Sequence, residues 1–142
     1  MNSFKDEAEM KSIAEKWADI RFFVPKEFDS PDFPNSGLFM NLEFIRILDA
    51  MRRDCGFPFQ ITSGYRTPEH NAKEGGVPGS SHELGIGVDI ACGDSHKRFL
   101  MVRSAFTNGL KRIIPYARHI HVDMDFTKPQ EVMPIGEYKQ EG

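Results

Sequence analysis

Two short stretches of this chain carry side chains able to hold and use a metal ion. In "SSHELGIGVDIAC" (80–92), His82 is followed seven residues later by Asp89, with small residues around the aspartate. In "RHIHVDMD" (118–125), His119, His121, Asp123 and Asp125 occupy alternate positions. Imidazole plus carboxylate is a donor set that suits zinc. A catalytic zinc site needs three protein ligands and one position left for water; His82, Asp89 and one histidine of "HIH" would supply the three. Such a metal would lower the pKa of its water and polarise a carbonyl under attack. A neighbouring base or acid would then have to carry the proton to the leaving amine.

Positioning these groups requires strands. Under a period of two, Ile86, Val88 and Ile90 point one way, and Gly87, Asp89 and Ala91 the other. In the later stretch, Ile120, Val122 and Met124 share a face, and His119, His121, Asp123 and Asp125 share its opposite. If both apolar sides meet helices, both polar sides face one cleft. Gly87 and Ala91 are then expected to leave room around Asp89 for an ion and a substrate.

The remaining elements follow from helical periodicity and its punctuation. A helix is expected over Phe4 to Phe22, with Ser3 and Asp6 together resembling its N-cap start and Ala8, Ile13, Ala14 and Trp17 near one face. Residues 23–37 carry three prolines and read as a surface loop pinned by Phe28 and Phe33. Asn41 to Cys55 is the clearest helix, ended by Gly56. Phe59 to Thr62 reads as a short strand. A short helix follows, begun by Thr67 and Pro68 and stopped by Gly75 and Gly76. After the strand at 86–91, a helix over 95–109 is expected to turn Phe99, Val102 and Phe106 inward. The last strand is expected over 118–126, and the tail from Thr127 is expected to be loosely held. Together these imply an α+β fold in a single domain, a small, mostly antiparallel sheet flanked by helices. Its parts are an N-terminal helix and loop (1–38), a core with the metal site (39–126) and a tail (127–142).

A chain of 142 residues is long enough to bury one real core. Net charge is −3 with both signs interspersed, which argues against a broad nucleic-acid footprint. Cys55 and Cys92 are too few for a disulfide framework and read as buried thiols. His70 and His96 sit among charges on helices and read as ordinary surface residues. The N-terminal stretch has no apolar core of a signal peptide, and no apolar run is long enough to span a membrane. The chain is therefore expected to be made in the cytoplasm and to remain there unless something releases it.

Beyond these patterns, "SGYRTPEHNAKEGGVPGSSHELGIGVDI" followed by "HIHVD" resembles the M15 peptidase family, the zinc D-Ala-D-Ala carboxypeptidases and related peptidoglycan peptidases, phage endolysins among them. The family's Ser-x-His-x-x-Gly-x-Ala-x-Asp corresponds to Ser80, His82, Gly85, Gly87 and Asp89, with glycine replacing alanine at 87. Its later His-x-His corresponds to His119 and His121. The resemblance implies a hedgehog/DD-peptidase-like fold and one zinc ion bound by His82, Asp89 and His121. It implies that His119 assists proton transfer or transition-state stabilisation beside the metal, and that Arg66 meets a substrate carboxylate or peptide carbonyl. A guanidinium fork suits that task, the lesser alternative being a structural ion pair that fixes the loop. Ser80 either bonds substrate or shapes the turn before His82. Several relatives carry a glutamate base three residues before a histidine of the last motif; here those positions are Tyr116 and Arg118. Asp123 and His119 are then the candidates for the base, with Asp123 alternatively orienting a ligand imidazole.

The expected function is a zinc peptidase, D,D-carboxypeptidase or endopeptidase, that acts as a monomer on peptidoglycan stem peptides. It would reach the wall after holin-type release or as part of a phage particle. The alternative is a non-catalytic binding module stabilised by zinc on the same fold, with His119 as a fourth ligand closing the site. A plain domain without metal would leave the small residues flanking Asp89 unexplained.

Overall fold

The computed structural model describes residues 2–136. Asp6 caps the first helix, α1 (Glu7–Glu15), its Oδ1 accepting the Glu9 N–H at 2.8 Å. This helix is shorter than the expected Phe4 to Phe22, for a tertiary reason. Asp49, on α2 (Leu42–Cys55), accepts the backbone N–H groups of Arg21 at 3.0 Å and Phe22 at 2.8 Å. A continuing helix would have used those donors internally. Trp17, past the helix end, is buried against Phe28 with ring centroids 5.8 Å apart.

The proline-rich loop is shaped by two 3-10 turns, Pro25–Phe28 and Ser36–Phe39. Phe28 is fully buried, and Phe33 meets Phe4 and Phe39 edge-on, so the expected pins are in place. Asn41 caps α2 by accepting the Phe44 N–H at 3.0 Å, and Gly56 ends it with φ 76°. Phe44, Ile45, Leu48 and Met51 line its buried stripe.

The strands are β1 (Ile61–Ser63), β2 (Gly87–Ala91), β3 (Arg112–Pro115) and β4 (His119–Asp123). They form one sheet in the order β1-β2-β4-β3, every neighbouring pair antiparallel. Helix α3 (Pro68–Lys73) follows β1, and α4 (Ser95–Thr107) follows β2. Val88, Ile90, Ile113, Ile120 and Val122 are fully buried and join the stripe of α2 in one apolar core. The fold is thus α+β, one small domain with an open antiparallel sheet.

Four expectations change. In α4 the inward residues are Met101, Ser104 and Ala105; Phe99 and Phe106 stay 62% and 50% exposed and Val102 is half-buried. Small Ser104 and Ala105 allow close approach to α2, where the Ser104 hydroxyl reaches Met51 O at 3.5 Å. Two phenylalanine rings in that seam would hold the helices apart. β3 was not expected, because "RIIP" is four residues long and ends in a proline. β4 stops at Asp123 rather than 126. Asp123 Oδ1 accepts the Asp125 N–H at 3.0 Å and Asp125 Oδ1 accepts the Thr127 N–H at 3.1 Å, two successive turns made by aspartate side chains. The tail is held over its described part: Glu131 N–H donates to Lys111 O at 2.7 Å, Gly136 N–H to Pro115 O at 2.8 Å, and Val132 bridges to Arg112. Residues 137–142 of that tail lie outside the described residues. Cys92 is buried, Cys55 half-buried, and both thiols are free. No helix among the described residues is long and apolar enough to cross a membrane.

Candidate metal centre

The register of β2 on β4 sets Asp89 directly opposite His121, Ala91 opposite His119 and Gly87 opposite Asp123. Directly opposed residues share a face. The alternation read from the sequence therefore holds: the aliphatic face is core, and the other face carries the polar groups. His82 comes from the turn before β2. The Ser80 carbonyl accepts the Leu84 N–H at 3.2 Å, and the Ser80 hydroxyl accepts the Glu83 N–H at 3.4 Å.

His82, Asp89 and His121 form a buried group able to hold a metal ion, one donor atom from each lying within 4.8 Å of the others. His82 Nδ1 lies 2.9 Å from Gly64 O, so it carries the proton and leaves Nε2 to face Asp89 Oδ1 at 3.4 Å. His121 has Nε2 2.7 Å from Asp123 Oδ2 and Nδ1 3.0 Å from Asp89 Oδ1. Two imidazoles thus aim one nitrogen at the same carboxylate oxygen, each anchored through its other nitrogen. The edge of a tetrahedron around zinc is about 3.3 Å for bonds near 2.0–2.1 Å, close to both spacings. The donor set and the anchoring fit zinc.

The electrostatics follow from burial and pairing. Burial alone would raise the Asp89 pKa, but the hydrogen bonds and charges of His121 and His82 hold it below the ordinary carboxylate value. Burial alone would likewise lower His121, but hydrogen bonds to Asp123 and Asp89 push it up to about 9. Without metal, His121 is therefore an imidazolium clamped between two carboxylates, and a metal ion must displace that proton to bind.

The other predicted site residues take the following places. His119 stands at the mouth of the group, its side chain 27% exposed, with Nε2 3.9 Å from Asp89 Oδ2. Its ring stacks on Tyr116 at 4.3 Å. Asp123 is fully buried on the far side of the His121 ring, and Arg112 Nε donates to its Oδ2 at 3.0 Å. Asp123 thus meets the His121 nitrogen that faces away from Asp89. Arg66 is buried, donating from Nε to Ser63 Oγ at 2.9 Å and from Nη1 to Asn71 Oδ1 at 3.3 Å, with Nη2 3.6 Å from Asp89 Oδ2. Its guanidinium is thus engaged within the protein, with one arm toward the carboxylate of Asp89. Ser80 is buried and donates to Asn71 Oδ1 at 2.9 Å, which places it in the turn.

Gly87 serves a different purpose from the one expected. A Cβ there would overlap the Ser81 hydroxyl and crowd Asp123 Cβ. Its lack of a side chain admits Ser81, whose Oγ lies 3.4 Å from His121 Nε2. The polar face is therefore closed at the Gly87–Asp123 end and open at the Ala91–His119 end, where both residues are half-buried. A concavity of about 660 Å³ lies next to Ala91, lined also by Phe57, Gln60, Cys92, Lys97 and Arg118, and no residue of the metal group lines it. Sequence reasoning missed Arg112, Ser81 and Asn71. Arg112 lies on the unrecognised β3, and its spacing from Asp123 carries no local signal; the other two are polar residues that read as turn or helix surface.

No curated protein matches the chain. The model of the peptidase M15 family does match, over residues 12–123, a span that includes every residue of the metal group and its anchors. With the motif residues meeting at one point in the fold and that match covering most of the sequence, the chain belongs to the peptidase M15 family.

Proposed function

We propose that the protein is a zinc-dependent peptidase that cleaves peptide bonds in the D-amino-acid-containing stem peptides of bacterial peptidoglycan, and that it does so as a monomer. The observation that carries this reading is the convergence of His82 Nε2, His121 Nδ1 and Asp89 Oδ1, each imidazole being locked by a partner on its other nitrogen. A zinc ion held there supplies a water acidic enough to attack near neutral pH and a Lewis acid for the scissile carbonyl. The protein supplies the rest. Arg66 engages Asp89 Oδ2, which turns Oδ1 toward the two imidazoles. With Asp123 behind His121, the group placed to hold or move a proton on the open side is His119. Its stacking on Tyr116 fixes the ring plane. The concavity beyond Ala91 gives an extended peptide somewhere to lie. Because the Arg66 fork is engaged within the protein, endopeptidase action is favoured over capture of a terminal carboxylate. Action on the wall after holin-type release, or from a phage particle, is part of the same proposal.

One observation favours the non-catalytic alternative: the positions three before His119 and His121 are Tyr116 and Arg118, where several relatives have a glutamate base. The test is digestion of purified peptidoglycan, with new termini identified by mass spectrometry and zinc content measured in parallel. The wild type is expected to bind one zinc and release stem-peptide fragments, with chelation stopping release and added zinc restoring it. His82→Ala is expected to lose both metal and cleavage; His119→Ala is expected to keep the metal and lose most turnover. Full cleavage by a metal-free His82→Ala variant would sink the peptidase mechanism. Stoichiometric zinc in a wild type that releases nothing would establish the binding module instead.

A further inference from the structure

Asn71 touches none of the three metal-binding side chains, yet it is 1% exposed and every polar valence of its amide is used. Its Oδ1 accepts from Arg66 Nη1 at 3.3 Å and from the Ser80 hydroxyl at 2.9 Å. Its Nδ2 donates to Val77 O at 2.7 Å and to Glu83 Oε2 at 2.7 Å. The backbone closes in as well: the Gly76 N–H donates to Asn71 O at 2.9 Å, and a Cβ on Gly76 would overlap Asn71 Oδ1. Glu83 completes the knot by accepting the Gly79 N–H at 3.0 Å.

Two routes run from this amide to the metal group. Through Arg66 it reaches the Asp89 carboxylate, since Arg66 Nη2 lies 3.6 Å from Oδ2. Through Ser80 and Glu83 it holds the turn that carries His82, and the Arg66 N–H donates to His82 O at 3.2 Å. The third ligand, His121, is held separately by Asp123 and Arg112. We propose that Asn71 is a positioning residue for the metal group: one buried amide sets the placement of two of the three ligands, His82 and Asp89, from outside the site. This rests on the metal reading above. A helix-surface asparagine would instead meet solvent, and buried amides are retained where all of their bonds are made.

The test is zinc affinity of the full chain by competition titration, with the unfolding midpoint of the metal-free protein measured alongside. Asn71→Ala is expected to weaken zinc binding about tenfold or more, as loss of a partner behind a metal ligand does. Arg66→Ala is expected to weaken it comparably. The double variant should fall short of the product of the two losses, because both act through Asp89. A purely structural role would lower the unfolding midpoint without that coupling. If Asn71→Ala does not fold, Ser80→Ala supplies the second measurement, because it cuts the Ser80 bond to Asn71 Oδ1 and leaves the amide's bonds to Arg66, Val77 and Glu83 in place. It should weaken zinc binding by a smaller factor than Arg66→Ala. Wild-type affinity in Asn71→Ala or in Ser80→Ala, or full multiplication of losses in the Asn71→Ala, Arg66→Ala double variant, overturns the inference while leaving the metal site intact. A wild type that takes up no zinc overturns the metal reading and this inference together.

Discussion

His121 is the residue at which metal and proton compete for one nitrogen. Asp123 engages its Nε2 at 2.7 Å and Asp89 its Nδ1 at 3.0 Å, which raises its pKa to about 9. The unfolded value is near 6.5. A raised folded pKa stabilises the protonated folded state fully below 6.5 and progressively less as pH climbs through about 9. Asp89 runs the opposite way: its pKa is lowered below 3.8, so its contribution is present above that value and is lost as pH falls below it. Metal-free protein is therefore expected to be most stable between these limits and to weaken on the alkaline side from 6.5 toward 9. Zinc needs the neutral imidazole, so its stabilising effect should grow across the same alkaline window. At pH 7.5 zinc uptake should expel about one proton from His121, visible as a calorimetric binding enthalpy that varies with the ionisation enthalpy of the buffer. A buffer-independent enthalpy would mean that His121 is already neutral and that the double carboxylate clamp does not hold its proton.

At the scale of elements, the antiparallel pairing of β2 and β4 makes the site, and it was legible because both strands alternate strictly. Five residues of each suffice to put Asp89 beside His121 once the apolar face is assigned to the core. Packing within that pairing is tight where Gly87 meets Ser81. Gly87→Ala is expected to destabilise the protein by about 1–3 kcal/mol, the usual cost of overpacking. Ser81→Gly in the same chain should return most of that loss, since the side chain that would be struck is gone. Denaturant unfolding of the two single variants and the pair measures the coupling, and strictly additive losses would show that the contact is not where the strain lies. The parts of the site that stayed hidden have physical reasons. Arg112 belongs to a four-residue strand whose identity comes from its partner β4 rather than from its own pattern. Asn71 gains its role from a loop that folds back over it. The inward face of α4 was misread because helix amphipathicity ranks residues by hydrophobicity, whereas the seam with α2 selects for small size at Ser104 and Ala105. The end of α1 was hidden in the same way, set by Asp49 far along the chain.

Across the whole molecule the sheet has two unlike sides and two unlike edges. One side is sealed by helices around a shared core, and the other is closed at one end by the loop through Ser81 and open at the other by His119. Of the edges, the outer one at β3 matters for the molecule as a unit. An open strand edge is a template for pairing with another chain. Here the segment through Glu131, Val132 and Gly136 lies along it, returning backbone bonds to Lys111 and Pro115 and a bridge to Arg112. The same strand carries Arg112 to Asp123, so the edge is joined to the metal group through one ion pair. Removing residues 131–142 is therefore expected to have two separable effects. Loss of the two backbone hydrogen bonds at about 1 kcal/mol each should lower stability by about 1–3 kcal/mol. Exposure of β3 should make the shortened chain self-associate with rising concentration, measured by light scattering, while the full chain stays monomeric. Zinc affinity should change little, because β3 remains paired to β4 through Arg112, Ile113, Ile114 and Pro115. A shortened chain that keeps the full unfolding midpoint and stays monomeric would show that the tail merely lies on the edge. A large loss of zinc affinity would show that the strap, rather than the sheet pairing, holds Arg112 against Asp123.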